Sequence, residues 1–155
     1  MERIRPIAGA WLACYARLLL DLDSLDRRLR FGRPAGDDLV RRHVEAAAAG
    51  GVLVLAAFGQ GRVVGAAEIA RSGDAVEVAL AVERPMRRRG LGHRLLGAAL
   101  VAASGREVRL HMLAENRAAR TLAARAGFAL RQLGTEIAAV RHLEPVPGRP
   151  SLGAA

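Results

Sequence analysis

Residues 77–96 have the sequence EVALAVERPMRRRGLGHRLL, and this stretch decides the fold. Its first six residues are apolar apart from Glu77 and predict a strand, whereas the leucines that follow recur at the spacing of a helix packed on a sheet. Arginines and glycines stand between the two. The first turn of a helix offers unpaired N–H groups and the positive end of its dipole, and glycine lets a ligand approach the backbone closely. The stretch therefore predicts a strand, an anion-binding loop and a helix.

Further strands and helices are predicted on both sides of this stretch from hydrophobic periodicity and from turn residues. The predicted strands span residues 2–7, 52–58, 62–70, 76–82, 108–113, 129–133 and 135–143. One helical region is predicted from after residue 7 to about residue 31. Further helices are predicted at residues 37–49, 88–104 and 116–126. The strands from 52 to 82 form an antiparallel meander, and a strand–helix–strand unit follows it.

This order predicts an α+β (mixed α/β) fold, with a central mixed, mostly antiparallel sheet flanked by helices on both faces. A chain of 155 residues is the length of one ordinary domain. We expect that domain to span residues 1–143. Residues 144–155 contain proline, glycine and serine with almost no apolar side chains, so we expect a disordered tail there.

Composition narrows the class of function. The chain has 24 basic and 15 acidic residues, a net charge of +9, and all the basic residues are arginine. An anionic partner is therefore plausible, but aromatic residues are only 3% of the chain, which leaves no stacking platform for nucleic acid. No apolar run approaches the roughly 20 residues of a membrane helix. The single Cys14 excludes an internal disulfide and fits a reducing cytoplasm.

The loop has the pattern Arg87-x-x-Gly90-x-Gly92, which lacks the lysine of a P-loop and the third glycine of the dinucleotide fingerprint. It resembles the [RQ]-x-x-G-x-[GA] pyrophosphate loop of the GNAT N-acetyltransferase superfamily. Asn116 and Gly127-Phe128 stand at the intervals usual in that superfamily, so the resemblance extends over residues 52–143. The segment LDRRLRFG at residues 25–32 is also similar to one in the bacterial protein-acetylating (Pat-like) branch.

The resemblance implies an acyl-CoA-dependent N-acyltransferase that moves acetyl from acetyl-CoA to a primary amine, without a metal. It implies that the backbone after the strand pairs with the pantetheine arm, while N–H groups and arginines of the loop hold the pyrophosphate. Asn116 would reach the pantetheine, although an asparagine there also favours a plain helix N-cap. The implied coenzyme contacts are Ala81, Val82, Glu83, Arg87, Arg88, Arg89, Gly90, Leu91, Gly92, His93 and Asn116.

Direct attack on a thioester requires a neutral amine, and hence a base. Glu77 is the first candidate, because the protein-acetylating branch has a glutamate base in the corresponding stretch. His111 is the second, five residues before Asn116, and Glu68 is the third. Plain alternatives remain for the first two: a solvated strand carboxylate and a structural histidine.

Many superfamily members have a tyrosine acid at the position of Ala123, and the only tyrosine of this chain, Tyr15, lies in the first helix. A non-catalytic acyl-CoA-binding sensor is therefore the alternative function. The acceptor, a small molecule or a protein lysine, is not encoded in any motif, and a homodimer stays open.

Overall fold

The computed structural model describes residues 1–145 and 147–148, so residues 146 and 149–155 of the predicted tail lie outside the described residues. The strands are β1 (Arg3–Ile7), β2 (Leu53–Gly59), β3 (Arg62–Ser72), β4 (Ala75–Val82), β5 (Glu107–Leu113), β6 (Ala129–Leu133) and β7 (Glu136–His142). The α-helices are α1 (Leu12–Leu20), α2 (Ser24–Phe31), α3 (Asp37–Ala49), α4 (Leu91–Ala102) and α5 (Arg117–Arg125). Most predicted boundaries agree with these to within two residues.

The strands form one sheet in the order β1-β2-β3-β4-β5-β7-β6. Every neighbouring pair is antiparallel except β4 and β5, which are parallel and are joined through α4. A parallel pair requires a crossover connection, and a helix is the usual one. The predicted class, an α+β fold with a mixed and mostly antiparallel sheet, is confirmed.

Helices cover both faces of the sheet, and each face has its own apolar core. Leu91, Leu95 and Leu96 of α4 are buried in one cluster. Side chains of α1 and α3, among them Leu19 and Val40, are buried in the other. Helix α4 approaches β3 closely because Gly65 has no side chain: a Cβ there would lie 3.1 Å from Cδ1 of Leu95.

The N-terminal third contains three α-helices, and the prediction of two was wrong. The helical region expected to continue to residue 31 breaks at residues 21–23 into α1 and α2. The side chain of Asp23 accepts a hydrogen bond of 2.8 Å from the N–H of Asp26, which is the geometry of an N-cap. The apolar spacing continues through the break, so periodicity alone did not reveal it.

Helix α4 begins at Leu91, three residues later than predicted. The backbone before it turns through two residues with positive φ, Arg88 at 62° and Gly90 at 77°. Only glycine adopts such a conformation without strain, so Gly90 is required by the turn itself. Residues 88–90 are therefore a loop that delivers the chain to the helix N-terminus.

Strands β4 and β5 separate partway along their length. They pair only from Ala75 to Glu77 on β4 and from Glu107 to Arg109 on β5. Beyond Glu77, β4 stays paired with β3 as far as Val82 but has no partner on its other edge among the described residues. The sheet therefore contains a gap at its centre, bordered by the second half of β4.

Candidate active site

The gap exposes backbone groups of β4 that can pair with an extended ligand. The N–H of Glu83 donates to the carbonyl of Val64 over 3.1 Å, so it is engaged with β3. Residues of a strand direct their backbone groups alternately to its two edges, which places Ala81 toward β3 and Leu80 and Val82 toward the gap. Of the three predicted pantetheine contacts, only Val82 thus faces the gap, and Leu80 is an addition that the sequence did not indicate.

The predicted pyrophosphate loop leads directly to the N-terminus of α4. Leu91 anchors the first turn in the core, while Gly92 and His93 follow it along the helix. A Cβ at Gly92 would meet only Cδ2 of Leu122, at 3.7 Å, so the space beside the first turn is open on that side. Unpaired N–H groups beside open space can bind an anion, so the geometry is compatible with the predicted pyrophosphate loop.

The side chain of Arg87 is bound by other groups of the protein, unlike the side chains of Arg88 and Arg89. Its Nε donates to the carbonyl of Val82 over 2.9 Å, and its two terminal nitrogens lie 3.1 and 2.9 Å from the carboxylate oxygens of Asp26 on α2. Arg84 also donates to Asp26, over 3.1 Å. Arg87 therefore ties the loop to α2, and Arg88 and Arg89 are the loop arginines without an ion-pair partner among the described residues.

Asp26 is kept ionised by these arginines. Burial alone would raise the pKa of its carboxyl group, but the hydrogen bonds and positive charges of Arg87 and Arg84 outweigh that effect and hold the pKa below its ordinary value. The side chain is only 8% exposed. An ionised carboxylate at this point fixes the conformation of the loop, because both arginines converge on it.

The two predicted catalytic residues lie side by side. Glu77 is the last residue of β4 that pairs with β5, and His111 projects from β5 just beyond the pairing. Nε2 of His111 is 3.7 Å from Oε1 of Glu77, and both side chains are about half exposed. A carboxylate and an imidazole thus meet where the strands separate, and either can accept a proton there.

Glu68, the third candidate, belongs to a buried polar network instead. Its Oε2 accepts hydrogen bonds from the Tyr15 hydroxyl at 2.7 Å, from Arg30 at 3.2 Å and from Nε2 of His43 at 2.8 Å. Arg30 also donates to the Tyr15 hydroxyl, over 3.0 Å. Burial raises the pKa of Glu68, but the hydrogen bonds from His43 and Tyr15 and the charge of Arg30 outweigh it and lower the pKa.

His43 is a candidate that sequence reasoning missed. An ionised carboxylate only accepts hydrogen bonds, so the Nε2 that contacts Glu68 must carry a proton, and Nδ1 is left as the basic nitrogen of a neutral ring. A carboxylate that orients a histidine in this way is a recurrent device in acid–base catalysis. Nothing near His43 in the sequence marks it, because its partner is 25 residues away on β3.

A cavity of about 670 Å³ unites these groups on the sheet face covered by α2 and α3. Volumes of this size accommodate small-molecule ligands. Its walls include side chains from β3, β4 and β5 on one side and from α2, α3 and their connection on the other. The titratable side chains that line it are Glu68, Glu77, His43, His111 and Glu136, together with Arg30, Arg33 and Arg42.

Three further residues complete the site. Asn116 caps α5, since its side chain accepts a hydrogen bond of 3.2 Å from the N–H of Ala119. Ala123 is buried in the core and carries no acidic group, and the hydroxyl of Tyr15 is buried against Glu68. Among the described residues, no group of three or more histidine, cysteine, aspartate or glutamate side chains is arranged to bind a metal ion.

The model of the Acetyltransferase (GNAT) family matches residues 17–128, which is more than half of the chain. The chain belongs to the GNAT acetyltransferase family. The predicted family is therefore confirmed, and with it the predicted class of activity, acetyl-CoA-dependent N-acetyl transfer. A comparison with curated protein sequences finds no match for this GNAT chain.

Solved structures agree with the fold. The GNAT domain of S. lividans PAT is 19% identical, with a TM-score of 0.79 over 92% of this chain and 90% of its own. The PaiA N-acetyltransferase from Thermoplasma acidophilum, solved with coenzyme A, is 16% identical, with a TM-score of 0.70 over 92% and 99%. The ribosomal-protein-S18-alanine N-acetyltransferase from Escherichia coli is 16% identical, with a TM-score of 0.71 over 98% and 100%. At these identities the likeness establishes the shared fold.

Proposed function

We propose that this GNAT protein acetylates a primary amine bound in the 670 Å³ cavity, with Glu77 as the general base and His111 as its immediate partner. The observation that carries the proposal is the Glu77–His111 pair at the point where β4 and β5 separate. The thioester would enter through the gap between β4 and β5, and the amine would bind in the cavity. The two reactants would therefore meet beside a proton acceptor.

The coenzyme has a matching path through the molecule. Its pantetheine arm would lie in the gap and pair with the backbone of Leu80 and with the N–H of Val82, whose carbonyl already accepts from Arg87. Asn116 would flank the other side. Its pyrophosphate would accept hydrogen bonds from the N–H groups of residues 88–93, with Arg88 and Arg89 as electrostatic support. In this arrangement Arg87 acts indirectly, by holding the loop against Asp26.

The reaction removes two protons from the acceptor nitrogen and supplies one to the sulfur. Glu77 takes a proton from the ammonium group of the acceptor, and the neutral nitrogen then attacks the thioester carbonyl carbon. An N–H of β4 that faces the gap stabilises the negative charge on the carbonyl oxygen. The C–S bond breaks as the amide forms, and the second proton of the nitrogen passes through water to the thiolate. A thiol with an ordinary pKa near 8.5 is a good leaving group without a tyrosine acid.

Thiol release from acetyl-CoA in the presence of an amine panel tests this proposal in the wild type and in Glu77→Gln. We expect Glu77→Gln to bind acetyl-CoA normally and to lose turnover by about 100- to 10,000-fold, the usual contribution of a general base. Glu107→Gln is the matched control, because Glu107 is also a strand carboxylate at the β4–β5 pairing but pairs with Arg109 outside the cavity. A fully active Glu77→Gln enzyme would remove Glu77 from the mechanism.

The same assay separates the enzyme from the alternative of a non-catalytic sensor. Acetyl-CoA binding without thiol release by any amine would favour the sensor. We also propose that residues 1–143 constitute one catalytic domain and that the protein acts in the cytoplasm. Within the described residues, no helix has the length and apolar character of a membrane span. A homodimer remains a prediction that sedimentation measurements can test.

A further inference from the structure

Charges around the acceptor cavity are divided between its two sides. Glu77 and Glu136 come from strands β4 and β7 of the sheet. Arg33 and Arg42 come from the helical side, from the connection after α2 and from α3. The sheet side is therefore negative and the helical side positive.

The cavity lining also contains a buried ion pair, which does not change this division of charge. Arg30 and Glu68 lie 3.2 Å apart and are both buried, so their charges compensate each other inside the wall. His43 donates to the same carboxylate and is likewise engaged. The charged groups left to meet a ligand are the two exposed arginines on one side and the two exposed glutamates on the other.

Arg33 and Arg42 differ from neighbouring arginines in having no ion-pair partner within the described part of the chain. Arg41, adjacent in sequence, lies 4.0 Å from Asp37 and 3.7 Å from Asp38 on its own helix. Arg27 is 2.7 Å from Asp37. Arg27 and Arg41, which do not line the cavity, thus have acidic neighbours. Arg33 and Arg42 do not, although aspartates are available on α3.

We propose that the acceptor is a small amine that also carries an anionic group, a carboxylate or a phosphate. Its ammonium group lies toward Glu77 and Glu136, and its anionic group lies between Arg33 and Arg42. The planar guanidinium group donates two parallel hydrogen bonds to either anion, which provides both affinity and orientation. The inference rests on the proposed function, because it places the amine at the base assigned there.

Matched acceptors test the division of charge. The panel contains the common α-amino acids and O-phosphoethanolamine as anionic amines, with the amino-acid carboxamides and ethanolamine as neutral counterparts. We expect kcat/KM for an anionic acceptor to exceed that of its neutral counterpart by roughly 10- to 100-fold, mainly through KM, as a charged hydrogen bond would produce. The amino-acid and phosphate arms show which anion is preferred.

Variants then assign the preference to residues. Arg33→Gln and Arg42→Gln should each raise KM for the preferred anionic acceptor about 10-fold and leave KM for its neutral counterpart within about twofold. Arg41→Gln is the control, because it removes the neighbouring positive charge outside the cavity. Equal losses for anionic and neutral acceptors, or equal losses in the control, would overturn the assignment.

A binding measurement keeps this inference separate from the proposed base. Saturation-transfer NMR on the protein saturated with coenzyme A should show preferential binding of anionic amines, even in Glu77→Gln. Neutral amines that bind and react as well as anionic ones would overturn the inference and leave the proposed function standing. A lysine peptide acetylated with higher kcat/KM than every small amine would also overturn it. An active Glu77→Gln enzyme that keeps the anionic preference would refute only the proposed base.

Discussion

Glu68 shows how the chemistry of a residue depends on its surroundings. Its carboxylate is buried with Arg30, and one oxygen accepts three hydrogen bonds. A charge removed from water is tolerated only when it is paired and hydrogen-bonded. Glu77 is about half exposed and lies near only His111 among the titratable side chains of the described residues, so it is accessible to a ligand. The same residue type thus belongs to a structural network at one position and is, in our proposal, the general base at the other.

Removing the charge of Glu68 should destabilise the fold. Glu68→Gln leaves the guanidinium group of Arg30 buried without a counter-charge, which typically costs about 3–5 kcal/mol of unfolding free energy. Tyr15→Phe removes two hydrogen bonds, one to a carboxylate that keeps two other donors and one from Arg30, so we expect a loss of about 2–3 kcal/mol. Urea unfolding measures both. Asp38→Asn, whose side chain is 91% exposed, is the control; equal stability of Glu68→Gln and this control would contradict the network's role.

At the scale of elements, the separation of β4 from β5 and the turn before α4 form the coenzyme site that we propose. Neither feature contains a reactive side chain. The gap exists because β5 leaves β4 after Arg109 while β3 holds β4 in place to Val82. Helix α2 stabilises the turn, since its Asp26 forms ion pairs with both Arg84 and Arg87. An element distant in sequence thus determines the conformation of the loop.

A side chain at Gly92 should block the coenzyme without unfolding the protein. The space beside Gly92 is open, with only Leu122 within 4 Å of a new Cβ, so Gly92→Glu fits sterically and places a carboxylate where the pyrophosphate would lie. We expect acetyl-CoA affinity to fall at least about 100-fold, measured by calorimetry. Gly97→Glu, further along the same helix and with no atom within 4 Å of its Cβ, is the control. Unchanged affinity of Gly92→Glu would refute the loop assignment.

For the whole molecule, two buried carboxylates connect the N-terminal helices to the rest of the fold. Asp26 joins α2 to the loop, and Glu68 joins α1, α2 and α3 to β3. Both have pKa values below the ordinary range. Protonation of either therefore removes interactions between separate layers of the protein.

Acid should consequently unfold the protein through these two groups. A carboxyl group with a pKa lowered in the folded state stabilises that state fully above its unfolded pKa, about 3.9 for aspartate and 4.3 for glutamate. The stabilisation is lost as the pH falls through the lower, folded pKa. We expect the unfolding free energy to decrease below about pH 4, and to decrease less in Asp26→Asn and Glu68→Gln, as followed by circular dichroism. The same acid dependence in the variants and the wild type would contradict this assignment.

Local sequence patterns were sufficient for most of the elements. Hydrophobic periodicity identified the meander and α4, and the arginines and glycines placed a loop between β4 and that helix, because these features depend on neighbours within a few positions. The same reasoning missed the break between α1 and α2, where a side-chain cap interrupts a continuous apolar pattern. It also gave no sign that the side chain of Arg87 contacts Asp26, 61 positions earlier.

The sequence by itself determined the order of strands and helices, the family and the position of the anion-binding turn, since each is written in a short run of residues. Only the tertiary structure decided that Glu77 meets His111, that Glu68 is neutralised by Arg30, and that arginines and glutamates face each other across one cavity. These relations depend on strand register and on how helices pack over the sheet. They join residues far apart in the chain, where no local pattern connects them.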